Sequence, residues 1–502
     1  MELAAQFLPL AEVQADWLIV GAWENENLTG AFAVLNDKLA GLLSRLREKK
    51  DISGKANDLT PLLGHAGLAA DRLLVVGLGK RAKADRSIVH DAAAAAARSI
   101  TGKKIGRMAL ALPEDVPGLT WSDVALAAGV GLMQGCLGPG LRKSEAARFI
   151  PDAIWLVAPP SANRQVIQEA ARRVNIEGRA VWLARELVNL PPCDLYPETF
   201  ANRALEAIDR ARVQCTVLDE KQIEAERMGA LLGVAKGSDR PPRVVVLRYN
   251  RGGNGRTLGL VGKGVTFDSG GLSLKTSEQM LDMKCDMAGA AAVLAAIKAI
   301  AELEIPVNVL GVLALVENLP SGHALKLGDV LTTRTAKTIE VLNTDAEGRL
   351  ILADALAYTV DQKVDHLVDL ATLTGACMVA LGVEVAGLMG NNQKWCDQVL
   401  AAAQRAGEKA WQLPMFPLYD ELIKSEVADI KNTGGTRYGG AITAAKLLEQ
   451  FVGNVPWAHL DIAGPAWAEH ESASHDPGGT GCFVRTLVEL AREYDERAES
   501  KS

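Results

Sequence analysis

The stretch Leu258-Gly259-Leu260-Val261-Gly262-Lys263-Gly264-Val265-Thr266-Phe267-Asp268-Ser269-Gly270-Gly271 sets a lysine and an aspartate among glycines directly after an apolar run. An apolar run of this length, bounded by turn residues, predicts a buried strand. Lys263 and Asp268 then sit near its C-terminal end, the edge where open α/β sheets hold their ligands. The flanking glycines let the backbone turn tightly and approach a ligand closely. A dinucleotide fingerprint would need glycine at Phe267, and a Walker A loop would need Ser or Thr after Lys263, where Gly264 stands. Both phosphate readings are therefore weak.

Outward from this stretch, strand-like runs alternate with helical ones. Val244 to Leu247, Leu258 to Val261, Val307 to Val316, Ile339 to Leu342, His366 to Leu370 and Trp457 to Ile462 read as strands. Met287 to Ala301, Leu350 to Val360, Ala441 to Phe451 and Cys482 to Arg492 read as helices. Continuous apolar strands imply a sheet covered on both faces. The first third repeats the alternation on a smaller scale, with strands at Leu18 to Val20, Leu73 to Val76, Met108 to Leu112 and Ile154 to Val157. Helices lie between them at Ile88 to Ile100 and Val124 to Met133. One long charged helical segment, Ser161 to Leu187, ends at Pro191 and Pro192. The expectation is an α/β protein of two domains. Residues 1–160 form a smaller N-terminal accessory domain and 161–192 a linker helix. Residues 193–502 form a larger catalytic domain, its mostly parallel or mixed sheet covered by helices on both faces.

Bulk properties agree with this size. The chain has 502 residues, 48% hydrophobic and 23% charged, enough for a sizeable core. A net charge of -7 does not indicate a nucleic-acid partner, although Lys80, Arg81 and Lys83, or Lys103, Lys104 and Arg107, could form a local patch. Met1 to Leu18 lacks the pattern of a secretory signal, and no run reaches the roughly 18 to 20 apolar residues of a membrane span. Seven scattered cysteines without a C-x-x-C pair fit a reducing cytoplasm. No H-E-x-x-H occurs, so a metal site here would not be of the histidine-rich kind.

The chemistry gathers in carboxylates. Asp286 precedes the Ala-rich helix at Met287, where a carboxylate is also an ordinary helix-start residue. Asn343-Thr344-Asp345-Ala346-Glu347-Gly348-Arg349-Leu350 sets two carboxylates at a strand-to-helix turn. Such a pair wants a cation between its members. Asp268, Asp286, Asp345 and Glu347 are expected to converge on one edge of one sheet. Oxygen-rich ligation suits Mn, Mg or Zn, and bridging carboxylates suggest two ions close together.

The segments around Lys263 and Asp345 resemble the M17 leucyl aminopeptidase family, including its N-T-D-A-E-G-R-L signature in full. The likeness extends through Leu187-Val188-Asn189 with Pro191-Pro192, Glu317 to Gly322, Asp369 to Gly375, Ala428 to Gly435 and Pro456 to Gly464. It covers essentially everything after Leu187, while the first third looks like the family's variable accessory domain. Cys285, Ala288 and His323 depart from the pattern without touching the ligands.

The resemblance implies an exopeptidase that removes single residues, apolar ones such as leucine preferred, from peptides. Asp268 and Glu347 would bridge two divalent ions, Mn or Zn with Mg or Co as further candidates. Asp345 would complete one metal site, and Lys263 with Asp286 the other. A lysine ligand must be neutral, so the ions have to depress its pKa strongly. Lys275 would polarise the scissile carbonyl. Arg349, with the backbone of Ala346, Gly348 and Leu373, would hold a bicarbonate that shuttles the proton, a task suited to a planar guanidinium. Met283, Asn343, Thr372 and Gly375 would touch the substrate together with Lys275. The family also implies a cytoplasmic homohexamer. Two other readings stay open: a two-metal phosphoesterase, and a DNA-binding role for the N-terminal domain beside catalysis.

Overall fold

The structure, a computed structural model, describes residues 1–27, 30–436 and 438–494. It forms two compact units, Met1–Arg179 with Glu469–Pro477, and Ala180–Ala468 with the chain from Gly478 onward. The helix Arg164–Asn189 carries the chain from the first to the second, and the division falls at Arg179, within that helix.

The first unit is built on a six-stranded sheet. Its strands are β1 (Leu3–Gln6), β2 (Trp17–Trp23), β3 (Leu59–Leu62), β4 (Leu73–Gly79), β5 (Arg107–Ala111) and β6 (Ala153–Val157). They are ordered β1-β6-β5-β2-β4-β3, and all pair in parallel except β3. Side chains alternate across a strand, so β2 feeds two apolar layers. Ile19 packs beneath the helices Arg86–Ile100 and Trp121–Gly135, while Leu18 and Val20 pack with Leu35, Leu39 and Leu43 on the other face. Caps fix the helix starts: Asp85 accepts the Ile88 N–H, and Thr120 and Asp123 form a reciprocal capping box. These two helices touch backbone to backbone, since a Cβ at Gly131 would lie 2.2 Å from the His90 carbonyl oxygen. Basic residues noted in the sequence have local partners here. Arg81 donates to the Asp115 carbonyl, and the Arg107 guanidinium lies 4.0 Å above the Trp155 ring.

The second unit holds an eight-stranded mixed sheet. Its strands are β7 (Gln214–Leu218), β8 (Arg243–Asn250), β9 (Thr257–Asp268) and β10 (Asn308–Asn318), and, after a separate pair, β13 (His366–Ala371), β14 (Ala386–Gly390), β15 (Ala410–Gln412) and β17 (Trp457–Asp461). The order is β15-β14-β17-β13-β9-β10-β8-β7. Parallel strands β17-β13-β9-β10 form its centre, and antiparallel partners flank them. Strands β11 (Val330–Thr332), β12 (Thr338–Glu340) and β16 (Ile430–Lys431) make a small sheet of their own. The strand expected at Ile339 to Leu342 therefore belongs to this small sheet and not to the main one. Helices Ala288–Glu302 and Gly348–Asp361 cover the main sheet. The Ala-rich first of these comes so close that a Cβ at Gly262 of β9 would fall 2.5 Å from the Ala290 Cα. From β9 the chain crosses to β10 on one side, and from β10 it returns to β13 on the other. The ends of β9 and β13 thus border a switch point, where α/β sheets open a crevice. No helix among the described residues is long and apolar enough to cross a membrane.

Asp354 ties three of these pieces together. Fully buried on the helix Gly348–Asp361, it accepts the Leu231 N–H (2.9 Å) at the start of the helix Gly229–Ala235 and the Arg334 N–H (2.8 Å) between β11 and β12. Burial pushes its carboxyl up from 3.8 to about 7, against the backbone N–H groups that favour the charged form. An acid whose folded pKa is raised contributes stability while the folded form keeps the proton, and loses that contribution as pH climbs from 3.8 through 7. Asp354→Ala is expected to lower unfolding stability by about 2–4 kcal/mol, by stranding two buried N–H groups and opening a cavity. With Asp354→Asn, the stability gap to wild type should narrow as pH rises across that window, as followed by urea unfolding.

Candidate metal centre

In a regular strand, residues five apart point to opposite faces, so Lys263 and Asp268 could not meet. The ladder between β9 and β10 resolves this. Val265 pairs with Val316, but the next pair is Phe267 with Glu317, leaving Thr266 as an extra residue. The bulge resets the alternation and returns Asp268 to the side that Lys263 faces. β9 runs through to Asp268, so Lys263 lies inside the strand, paired with Ala314, and not in a loop beyond it. After Asp268 the chain doubles back through Gly270 at φ 86°, where a Cβ would strike the Ser273 carbonyl oxygen at 2.4 Å. Only glycine fits this turn, which delivers Lys275 back to the strand end.

Three segments close on that end. Asp286 follows the short turn Met283–Cys285, and Glu347 stands at the start of the helix Gly348–Asp361, a position whose dipole favours a carboxylate. The Lys263 Nζ lies 2.7 Å from Asp286 Oδ1 and 2.9 Å from Glu347 Oε1, and donates to the Thr372 carbonyl at 2.9 Å. The Lys275 Nζ lies 2.8 Å from Asp268 Oδ2 and also pairs with Asp345. Carboxylate oxygens of Asp268, Asp286 and Glu347 come within 4.8 Å of one another.

Four carboxylates here face two ammoniums. Burial alone would lower the pKa of Lys263, but Asp286, Glu347 and Asp268 hold it above the usual lysine range. Lys275 is raised against its own burial by Asp268 and Asp345. Burial pushes Asp286, Glu347 and Asp345 up, and neighbouring carboxylates add to the push. Asp286 Oδ2 and Glu347 Oε2 are buried and have no hydrogen-bond partner among the described residues. Orphaned carboxylate oxygens in a cluster with excess negative charge fit divalent cations, and the donor set suits hard or borderline ions.

The other expected residues surround this core. The Arg349 guanidinium is buried beside it and donates Nη1 to the Asn432 carbonyl (2.9 Å), while its Nε has no partner among the described residues. Burial brings its pKa down to about 10 despite Glu347, Asp461 and Asp345. Thr372 donates its hydroxyl to Asp286 Oδ1 (2.7 Å), and Asn343 Oδ1 accepts the Asp345 N–H (2.9 Å). The Ala346 N–H is spent on the Asn343 carbonyl (3.3 Å), and that of Leu373 on Asp461 Oδ1 (3.2 Å). Gly348 opens its helix so near Lys263 that a Cβ would sit 2.5 Å from the lysine Cε. Met283 opens the turn before Asp286 and is half-buried, and Gly375 is exposed at the start of the helix Gly375–Leu381.

Three supporting residues escaped the sequence reading. Asn318, at the end of β10, donates to Asp268 Oδ1 (2.8 Å) and to the Thr344 carbonyl (2.9 Å). Asn432 accepts the Leu342 N–H (2.8 Å) and donates to the Asn343 carbonyl (2.6 Å), clamping the loop that carries Asp345 and Glu347. Asp461 accepts the Thr374 hydroxyl (2.7 Å) as well as the Leu373 N–H, fixing the loop that supplies Thr372. Asn318 and Asp461 each end an apolar strand run as a buried polar residue, and that mismatch was the available signal.

Residues 182–488 match the model of the cytosol aminopeptidase family, catalytic domain, and residues 19–136 match that family's N-terminal domain. The chain belongs to the cytosol aminopeptidase family. A probable cytosol aminopeptidase of Rhodopirellula baltica is 47% identical over 91% of this chain and 88% of its own length. One from Syntrophotalea carbinolica is 41% identical over 98% of this chain and all of its own. Among solved structures, a mutant of tomato leucine aminopeptidase superimposes with a TM-score of 0.87 at 36% identity, covering 98% of this chain and 96% of that one. The bottromycin maturation enzyme BotP in complex with Mn superimposes with a TM-score of 0.83 at 35% identity, covering 96% and 99%. This cytosol aminopeptidase family member is an enzyme, an aminopeptidase, with the two-domain α/β fold of its relatives.

Asn432→Asp keeps the acceptor and loses the donor that holds the loop. It should lower kcat/KM for an aminoacyl anilide about 100-fold while the fold persists, since misplacement on the ångström scale costs that much. Steady-state kinetics beside a thermal melt would check this.

Proposed function

We propose that the aminopeptidase works with two divalent ions, held by Lys263, Asp268, Asp286, Asp345 and Glu347, and releases apolar first residues such as leucine from peptides in the cytoplasm. The observation that carries the reading is a pair of buried oxygens, Asp286 Oδ2 and Glu347 Oε2, without a hydrogen-bond partner among the described residues, within a cluster of carboxylates. When bound, such ions supply Lewis acidity and an acidified water. Mn or Zn suits the donor set, and Mg or Co would also be accepted.

The remaining steps fall to the chain's own groups. Lys275, raised in pKa and steered by Asp268 and Asp345, keeps its charge and offers an N–H to the scissile carbonyl oxygen as negative charge develops there. Arg349 is the buried cation beside the cluster, its Nε–H without a partner among the described residues; it would hold a bicarbonate, which would supply a proton carrier there. The carboxylate-rich centre selects a free α-amine, which an internal peptide bond cannot offer. Met283, at the turn before Asp286, gives the first side chain an apolar contact, with Thr372, Asn343 and Gly375 bordering it. Exposed apolar residues such as Phe416, Leu418 and Val427 support burial against further copies of the chain in a homohexamer.

Chelation should abolish release of p-nitroaniline from leucyl-p-nitroanilide, and Mn or Zn should restore it. Asp345→Ala should lose about 1000-fold or more in kcat under every metal tested. Hydrolysis indifferent to chelator, or turnover of aryl phosphates in place of the anilide, would overturn the proposal.

A further inference from the structure

The N-terminal unit has a switch point of its own. The connection leaving β2 leads through β3 to β4 on one side, and the one leaving β5 leads to β6 on the other. Between two such strands the covering helices diverge, and a crevice opens outside their C-terminal ends. A half-open crevice of about 70 Å³ lies at that place, floored by the last residues of β2 and β5.

Its chemistry is uneven. Trp23, Phe32 and Leu112 supply apolar surface, and Arg47 and Glu114 supply one charge of each sign. The Arg47 Nη2 donates to the Trp23 carbonyl, and its other N–H groups meet no acceptor among the described residues. Burial lowers the Arg47 pKa, with only distant help from Glu26 in the opposite sense. Glu114 lies at the start of the helix Gly30–Lys38, where a Cβ on Gly30 would meet its Oε2 at 2.6 Å. No cation pairs with Glu114 among the described residues.

A phosphate is disfavoured here. Among the described residues lining the crevice Arg47 is the one cation, offset by Glu114, and the turn after β2 lacks the clustered glycines of a phosphate loop. A small zwitterion answers the one-cation, one-anion lining, and the apolar floor asks for a hydrocarbon side chain. We propose that this crevice binds a free α-amino acid with an apolar side chain, its carboxylate on Arg47, its ammonium on Glu114 and its side chain against Trp23, Phe32 and Leu112. Such a molecule is the product class of an aminopeptidase, so the N-terminal unit would bind what the catalytic unit releases. The preference for a leucine-like product rests on the reading of the catalytic site given above; the crevice and its charges do not.

Because leucine also fits a catalytic centre as product, the test uses the full chain carrying Asp345→Ala, titrated calorimetrically with leucine at millimolar concentration. One leucine per chain is expected. Affinity should fall about tenfold or more when Arg47→Met or Glu114→Gln is added, since each removes a charge-assisted hydrogen bond. N-acetylleucine, lacking the ammonium, should bind about as weakly as leucine binds the Glu114→Gln chain. If Arg47→Met melts early, Glu114→Gln carries the test alone. Absence of leucine binding, or affinity unchanged in a folded Glu114→Gln chain, would overturn the proposal. In the chain without Asp345→Ala, Arg47→Met should leave leucyl-p-nitroanilide hydrolysis unchanged. Failure of that hydrolysis in wild type would strike the catalytic reading and leave the calorimetric result standing.

Discussion

Asp268, Asp286 and Glu347 turn carboxylate oxygens to within 4.8 Å of one another in a region closed to bulk water. Each buried charge left uncompensated costs several kcal/mol, so such a group persists only with cations threaded through it. Lys263 and Lys275 neutralise part of the charge, and Arg349 stands close by with its own pKa brought down to about 10 by burial. The remaining negative charge, on oxygens without partners among the described residues, makes the cluster a receptor for divalent ions. Much of the catalytic unit can be read as the scaffolding this requires. A bulge turns Asp268 inward, a glycine at positive φ returns Lys275, and a helix start receives Glu347.

Holding the cluster in place falls to neutral amides and one further carboxylate. Asn318, Asn432 and Asp461 spend donors and acceptors on the loops that carry the charged residues. A fully satisfied polar network of this kind is stiff, because moving any member strands a buried group. The apolar layers beneath do the complementary work. The Ala-rich helix Ala288–Glu302 approaches β9 through Gly262, so Asp286 at its start is set by packing that leaves no room for a larger side chain.

Much of the architecture was legible in the order of residues. Long apolar runs such as Val307 to Val316 and the helix over Leu350 to Val360 carry their period openly, and both lie where expected. Short strands at one end of the sheet were not legible: β14 and β15 hold three to five residues each, with too little alternation to stand out. The extension of β9 through Lys263 to Asp268 was hidden for a different reason. Glycine at Gly262 and Gly264 suggests a turn, whereas here it lets neighbouring backbone press against a buried strand. Likewise Ile339 reads as a main-sheet strand, yet a partner about ninety residues away, Ile430, draws it into a separate sheet.

The sequence by itself determined which chemical groups are present and in what order, and its unbroken Asn343-to-Leu350 signature determined the family. Those are local facts, written in neighbouring residues. Only the tertiary structure decided that Lys263 and Asp268 share a face, that Lys275 reaches Asp345 across 70 positions, and that Asp286 Oδ2 and Glu347 Oε2 have no partner among the described residues. Spacing along a chain fixes direction only while a ladder stays regular. One extra residue in β9 reverses it, and the meeting of distant segments is set by how their backbones pack.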